Sequence, residues 1–179
     1  FCNTVGCKNV VISMLPFDCI LGGEDKFYAF VDSLDRQFDI YAERGITLAY
    51  HHHNWEYIRL SNGKTRMAEL LSRTSKIKFV HDTYWTARSG VSPAVQIREF
   101  GHRLLGIHLR DLAFKKKFLD VVPHDTVVGE GVIDFGAVLD AAREVGCEYT
   151  VIEQKTDQPY EDLKRSLENL QIIKTEIKE

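Results

Sequence analysis

Several features of common protein classes are absent from the sequence. Only four cysteines occur in 179 residues, none in a CxxC pair, which argues against a secreted disulfide scaffold and favours free thiols in a reducing cytoplasm. No apolar run reaches the roughly 18 to 20 residues that a membrane span requires. Basic residues number 23 against 26 acidic ones, so there is no electrostatic footprint for nucleic acid. We therefore expect a cytoplasmic protein that binds neither a membrane nor nucleic acid.

Short apolar runs alternate with longer amphipathic stretches, which is the pattern of repeated βα units around a parallel sheet. The predicted strands span residues 9–15, 46–51, 77–82, 104–109 and 148–153. The predicted helices span residues 24–43, 65–73, 93–101, 134–145 and 159–177. Residues 113–132 are predicted to form a long loop. With 44% hydrophobic residues, one domain over residues 1–179 is the default expectation.

Side chains that can bind a metal or transfer a proton follow each of the last four predicted strands. They are His51 and His53, Asp82, His108 and Asp111, and Glu153. The carboxyl ends of parallel barrel strands face the same rim, so we expect these groups to converge there. Because side chains alternate along a strand, His51 and His53 share a face, and His52 is interpreted as outward or structural.

These residue types point to metal-assisted chemistry. Two carboxylates and one or two imidazoles form a ligand set suited to Mn, Co, Zn, Fe or Mg. Such an ion can bind two sugar oxygens and polarise a carbonyl, and a neighbouring carboxylate or histidine can then move the proton on the adjacent carbon. Taken singly, each residue has a structural alternative, since a strand-end histidine is often only hydrogen-bonded and a strand-end aspartate often caps a helix.

Four further features have both a structural and a functional interpretation. Trp55 and Trp85 are either packing residues or a wall on which the apolar face of a sugar stacks. Glu56 is either a surface charge or a group that orients a pocket histidine. Residues 115–117, three lysines, are interpreted as a solvated loop rather than a phosphate or anion clamp. Residues 129–131 are interpreted as a tight turn rather than an anion-binding loop.

Five segments match a known set of motifs in order. Residues 50–57 resemble Tyr-His-Asn-His-x-Phe-Glu-Phe, 82–85 Asp-Thr-Tyr-Trp, 108–111 His-x-Lys-Asp, 129–135 Gly-x-Gly-x-Ile-Asp-(Phe/Trp) and 151–154 Val-x-Glu-Gln. Together they resemble the sugar phosphate isomerase/epimerase group of the xylose-isomerase-like TIM barrel superfamily, which includes inosose dehydratase relatives.

The resemblance implies a (β/α)₈ TIM barrel with a divalent metal, and a sugar or polyol as the small-molecule substrate. The matching metal positions are His51, Asp82, His108 and Glu153. Our candidates for proton transfer or substrate orientation are Glu153, His53 and Glu56. Our candidates for substrate binding are Trp85, Trp55 and Arg110, the last of which can hold a hydroxyl, carboxylate or phosphate.

The chain departs from the family pattern at three positions. His51 stands where epimerases of the superfamily place a metal-binding glutamate, which removes one of the paired carboxylates of two-base epimerisation. His52 replaces the usual asparagine, and Lys155 stands where an aspartate is common. Either of these two changes can alter the substrate.

The matched strands resemble the last five of eight. About three βα units, on the order of 90 residues, would then be missing at the amino terminus, and a start at Phe1 without methionine suggests a truncation or processing point. Because an open sheet exposes unpaired edges, we expect a homo-oligomer that covers them, or a fragment of a larger product.

The leading hypothesis is a divalent-metal-dependent sugar or polyol isomerase, epimerase or dehydratase that acts by proton transfer next to a carbonyl. One alternative is a non-catalytic truncated barrel remnant. Another is a phosphodiester hydrolase like the AP endonucleases, against which the acidic balance and the single predicted site count.

Overall fold

The computed structural model describes residues 2–176, which form two compact units. The first unit ends at Val80 and the second begins at His81, so the boundary falls within one strand. The last predicted helix is described as far as Glu176, and its predicted end at position 177 lies outside the described residues. Phe1, where a truncation was inferred, lies outside them as well.

Parallel strands and α-helices make up most of both units. The strands are β1 (Asn9–Ile12), β2 (Thr47–His51), β3 (Lys78–Asp82), β4 (Leu104–Leu109), β5 (Asp111–Lys117), β6 (Asp120–Thr126) and β7 (Tyr149–Ile152). The α-helices are α1 (Cys2–Val5), α2 (Phe17–Leu21), α3 (Glu24–Ala42), α4 (Arg66–Arg73), α5 (Thr83–Arg88), α6 (Pro93–Phe100), α7 (Phe135–Glu144) and α8 (Pro159–Glu176). Short 3₁₀ segments cover Trp55–Tyr57 and Gly101–Arg103.

The first unit is built on the parallel strands β1, β2 and β3 in that order. Helix α3 packs against β2 and buries Phe27, Val31 and Leu34, whose spacing of four and three residues places them on one helix face. On β2 the residues from Leu48 to His51 are all buried, as expected for a strand covered on both faces. His51 is the last residue of this buried strand.

The second unit continues β3 and adds β4 and β7, in the order β3-β4-β7. Helices α6 and α7 pack against each other. Proline at the first position of α6 suits a helix start because its missing N–H is unneeded there. The Asp134 carboxylate caps α7 by accepting from the Ala137 amide at 2.9 Å. The ends of β3, β4 and β7 carry the candidate site.

The prediction of five parallel strands is confirmed, and that of a loop over residues 113–132 is wrong for residues 113–126. There β5 and β6 form an antiparallel hairpin, with Asp111 opposite Thr126 and Lys117 opposite Asp120. Most of the hairpin is at least partly exposed, so its strands show no clean alternation of apolar and polar residues. The exposed lysines at residues 115–117 led to the prediction of a loop, whereas backbone hydrogen bonds pair this segment into a two-stranded hairpin.

Residues 2–176 contain five parallel strands, whereas a complete barrel of this type has eight. The prediction of an incomplete TIM barrel is thus confirmed. None of the helices in the described part of the chain is long and apolar enough to cross a bilayer.

Candidate metal and substrate site

Three metal-competent side chains meet at strand ends in the second unit. Asp82 ends β3, His108 is the next-to-last residue of β4, and Glu153 directly follows β7. Each offers one ligand atom, and these atoms lie within 4.8 Å of one another. Two carboxylate oxygens and one imidazole nitrogen suit divalent ions of the first transition row. We call these residues the ligand cluster; that they bind a metal stays a prediction.

The ligand cluster is buried on one side and open on the other. The Asp82 side chain is fully buried, whereas those of His108 and Glu153 are 25% and 45% exposed. His108 Nδ1 lies 2.6 Å from Glu153 Oε2. Glu153 is therefore the member of the cluster that a bound molecule can reach most easily.

Arg110 connects the ligand cluster to the hairpin. Its Nη1 lies 3.3 Å from Glu153 Oε1 and 3.7 Å from Asp82 Oδ2. Its Nε and Nη2 donate to the two carboxylate oxygens of Asp125 on β6, which is the bidentate geometry that guanidinium favours. Three carboxylates thus surround one guanidinium, and this excess of negative charge favours an added cation.

Burial and pairing act in opposite directions on the pKa of Arg110. Burial alone lowers this pKa, but the hydrogen bonds to Asp125 and the charges of Asp82, Asp125 and Glu153 raise it above its usual value. The guanidinium is also held over the rings of Tyr84 and Trp85, at 4.6 and 5.2 Å from their centroids. Arg110 is therefore a fixed positive charge beside the cluster.

The backbone of Arg110 is fixed as firmly as its side chain. Thr83 Oγ1 accepts from the Arg110 amide at 2.9 Å and lies 2.7 Å from the Arg110 carbonyl oxygen, to which it donates. Thr83 immediately follows Asp82, so the start of α5 and the end of β4 are joined at the cluster.

Asp82 has the capping role that the sequence left open as its structural alternative. Its Oδ1 accepts from the Trp85 amide at 3.0 Å and so caps α5. Its Oδ2 is the oxygen that faces Arg110. One carboxylate therefore anchors a helix with one oxygen and contributes to the cluster with the other.

The carboxylate of Asp111 is bound by backbone amides of the turn at residues 129–131 and of its neighbours. Asp111 is fully buried, and its carboxylate accepts from the amides of Leu112, Gly129, Gly131 and Ile133 at 2.7 to 3.3 Å. Burial raises the pKa of Asp111 above its usual value, although these four N–H groups act to lower it. The turn at residues 129–131 thus binds an internal carboxylate.

Glycine is required at position 131 of this turn. A Cβ there would lie 2.4 Å from both Asp111 Oδ1 and the Leu112 carbonyl oxygen, so any other residue would force the turn to shift. The sequence indicated a tight turn at this position but not its partner, because Asp111 lies 20 residues earlier in the chain.

The histidines of the first unit are grouped at the end of β2. His51 is buried, and its Nδ1 lies 3.2 Å from the Ser13 carbonyl oxygen. A carbonyl only accepts, so Nδ1 carries the proton and the Nε2 lone pair points elsewhere. The rings of His51 and His53 are 4.8 Å apart, edge to face. His52 is fully buried, which excludes its outward alternative and leaves the structural one.

Glu56 lies inside the first unit and not on its surface. It is fully buried, and its carboxylate accepts from the Tyr50 hydroxyl and, at 2.9 Å, from the His53 amide. Burial raises the pKa of Glu56 above its usual value. The surface-charge interpretation of Glu56 is therefore wrong, and its contact with the His53 backbone matches the orienting interpretation.

The two tryptophans have different surroundings. Trp85 is half-buried under Arg110 and lines a cleft in the second unit. Trp55 belongs to the first unit and is 39% exposed. Sequence reasoning missed Asp125 and Thr83, since both contact Arg110 only through folding of the hairpin and of α5, neither of which was predicted.

Comparison with known proteins agrees with this architecture. Residues 1–175 match the family model described as xylose isomerase-like TIM barrel. An inosose dehydratase of Geobacillus thermodenitrificans (strain NG80-2) is 30% identical over 146 residues, which are 75% of this chain and 49% of the relative. An inosose dehydratase of Clostridium perfringens (strain 13 / Type A) is 22% identical over 88% of this chain, which corresponds to 61% of the length of that relative. The chain spans about half the length of most of the curated relatives it matches.

Solved structures show the same fold. A sugar phosphate isomerase/epimerase from Parabacteroides distasonis ATCC 8503 superposes with a TM-score of 0.76 at 22% identity, over 93% of this chain and 58% of that one. The IOLI protein with a bound zinc atom superposes with a TM-score of 0.66 at 20% identity, over 96% of this chain and 64% of its own. With its parallel βα units and the family match over residues 1–175, the chain belongs to the xylose isomerase-like TIM barrel family.

Proposed function

We propose that the chain carries the active site of a divalent-metal-dependent enzyme that isomerises, epimerises or dehydrates a sugar or polyol. The observation that carries this proposal is the ligand cluster, whose three ligand atoms lie within 4.8 Å of one another beside a fixed guanidinium. Curated relatives that are inosose dehydratases, and a structural relative with bound zinc, support the same reaction type and cofactor class.

The proposed ligand set consists of the ligand cluster and His51. His51 lies opposite Val80 in the parallel register, two residues before Asp82 on β3. The contact of its Nδ1 with Ser13 assigns Nε2 as the ligand atom, as when a metal-binding histidine is oriented through its other nitrogen. Two imidazoles and two carboxylates favour Zn, Mn or Co over Mg.

A bound divalent ion would polarise the substrate carbonyl and so acidify the adjacent C–H bond. Glu153, the most exposed member of the cluster, takes the proton from this carbon. In a dehydration the hydroxyl on the next carbon leaves as water after it receives a proton, and in an isomerisation the proton returns to a neighbouring carbon. Arg110 holds a substrate oxygen in either case.

The remaining candidates are assigned supporting roles in the same proposal. His53 orients the substrate or transfers the second proton, and Glu56 positions His53 through its backbone amide. Trp85 offers its ring to the apolar face of a sugar, because it is half-buried at the edge of a cleft. Trp55, which is partly exposed, is proposed as a second contact of this kind.

Metal content of the purified, unchelated protein tests the proposal. We expect about one transition-metal ion per chain, as for a single four-ligand site, and its loss in the double variant His108→Ala/Glu153→Ala. The control His102→Ala/Glu161→Ala removes the same residue types at exposed positions of the second unit and should keep the ion. Failure of the wild-type protein to bind Mn, Co or Zn would refute the proposal.

Proton exchange then separates an enzyme from a binding remnant. In D₂O the metal-loaded protein should exchange the hydrogen next to the carbonyl of inosose or a keto-sugar, followed by proton NMR, and His108→Ala/Glu153→Ala should not. A protein that binds metal but catalyses no exchange with inosose, with neutral keto-sugars or with their carboxylate and phosphate derivatives would instead be the non-catalytic remnant.

A further inference from the structure

A cleft of about 560 Å³ opens beside the ligand cluster within the second unit. Its size is that of small-molecule pockets. The lining side chains that matter here are Trp85, Arg88, Arg110, Lys115, His124 and Lys155. Arg110 lines this cleft and also contacts the ligand cluster, because its Nη1 lies 3.3 Å from Glu153 Oε1. The cleft and the ligand cluster are therefore neighbours that share a contact with one guanidinium.

Positive charge is concentrated in the cleft. Arg88 is the last residue of α5, Lys115 lies on β5, and Lys155 follows β7. None of the ion pairs of the described residues includes these three side chains. Of the carboxylates that line the cleft, Asp125 is paired with Arg110, which leaves Asp157. Three unpaired cations thus face one carboxylate, a balance that favours an anion.

The rings of Tyr84 and Trp85 restrain the side chain of Arg88. Its guanidinium lies 5.3 Å from the Trp85 ring centroid and 5.9 Å from that of Tyr84, the same two rings that hold Arg110. These cation–π contacts restrain the guanidinium while its N–H groups stay available for planar acceptors. Two guanidinium groups on shared rings are therefore present at one end of the cleft.

The hairpin supplies the opposite wall. Lys115 lines the cleft, whereas its neighbour Lys116 does not, as the alternation of side chains along a strand requires. His124 on β6 lines the same cleft, and its Nδ1 has no hydrogen-bond partner. The lysine run that the sequence suggested as a solvated loop thus contributes one of its three side chains to a pocket.

We propose that this cleft binds an anionic group of the substrate, a carboxylate or a phosphate, while the carbonyl-bearing end of the substrate reaches the ligand cluster. The substrate would then be an acidic sugar or polyol and not a neutral one. This inference rests on the proposed function for the position of the carbonyl, but anion binding by the cleft itself does not require a metal.

Calorimetric titration of the chelator-treated, dialysed chain at constant ionic strength tests the inference. The probes are sorbitol, gluconate and sorbitol 6-phosphate, which share a polyol chain and differ in charge. We expect gluconate or sorbitol 6-phosphate to bind at least about tenfold more tightly than sorbitol, as one charge-assisted hydrogen bond allows. The tighter of the two identifies the anion as carboxylate or phosphate.

Single variants locate the binding. Arg88→Gln and Lys155→Gln should each weaken binding of the tighter anion about tenfold, and Arg88→Lys should recover only part of the loss because lysine lacks the planar fork. Lys116→Gln is the matched control and should bind as the wild type does, since Lys116 does not line the cleft. All three positions are exposed, so folding should be retained, as circular dichroism can check.

The outcomes separate this inference from the proposed function. Equal affinity for sorbitol and both anions, or equal weakening by Lys116→Gln and Lys155→Gln, would overturn the cleft assignment even if the protein binds metal. Anion binding that Arg88→Gln and Lys155→Gln weaken, in a protein that binds no metal, would uphold the cleft and refute the proposed function.

Discussion

Replacement of Asp111 by asparagine is the most direct perturbation of the turn beneath the site. Each carboxylate oxygen of Asp111 accepts two backbone hydrogen bonds. Oδ1 accepts from the amides of Leu112 and Ile133, and Oδ2 accepts from those of Gly129 and Gly131. Asparagine keeps one accepting oxygen and presents an NH₂ group to the other pair. Two donors therefore lose their acceptor, and the charge that strengthened all four bonds is removed.

We expect Asp111→Asn to lower the free energy of unfolding by about 2 to 3 kcal/mol, since each buried donor left unpaired costs about 1 to 3 kcal/mol and Gly129 is exposed enough for water to replace one bond. Urea unfolding followed by circular dichroism measures the loss. Amide hydrogen exchange at Gly129 and Gly131 should accelerate in the same variant, which reports on the turn directly.

Asp134→Asn is the matched control, because Asp134 accepts a single N–H group as an N-cap and asparagine caps helices about as well. It should change the free energy of unfolding by less than about 0.5 kcal/mol. If Asp111→Asn costs no more than Asp134→Asn, the proposed role of the buried carboxylate is wrong.

Three further predictions concern single positions. Gly131→Ala should lower the free energy of unfolding by about 1 to 3 kcal/mol, measured by urea unfolding, because its Cβ would meet Asp111 and the Leu112 carbonyl at 2.4 Å; an unchanged midpoint would contradict this. Burial raises the pKa of Cys19 to about 11, so iodoacetamide at pH 8 should alkylate exposed Cys7 well before Cys19, as peptide mass spectrometry can show. Although burial acts to raise the pKa of Asp35, the backbone N–H groups of Lys76, Ser75 and Ile77 lower it overall. The ionised carboxylate therefore stabilises the fold above the unfolded pKa of about 3.9, and this stabilisation is lost as the pH falls. Asp35→Asn should thus lose less stability between pH 5 and pH 3 than the wild type, and equal losses would count against the assignment.

The strands that carry the candidate site could be predicted because burial determines their sequence. Residues 104–109 were predicted as a strand with the observed bounds, since a strand covered on both faces requires a continuous apolar run. Helix α5 was missed because it is only six residues long and depends on its Asp82 cap more than on an amphipathic pattern. The apolar pattern of a segment therefore predicts a strand or helix well only where that segment buries its side chains in the core.

The ligand cluster could be predicted for a related reason. Asp82, His108 and Glu153 stand at strand ends, and parallel topology alone brings such ends together. Asp125 could not be predicted as the partner of Arg110, because their contact depends on the register of an exposed hairpin. Burial of Glu56 was also unpredictable, since its hydrogen-bond partners compensate for a charge that the local pattern places at the surface.

The hairpin divides its positions into constrained and variable ones. Asp111 and Asp125 at its base hold the turn and Arg110, whereas Phe118 and Leu119 at its tip are 86% and 89% exposed. Lys115 lies between these regions and lines the cleft. Under the proposed function, substitutions from Lys115 outward would alter which anions the cleft binds while the residues of the ligand cluster stay unchanged, so that binding preference and metal chemistry would evolve separately.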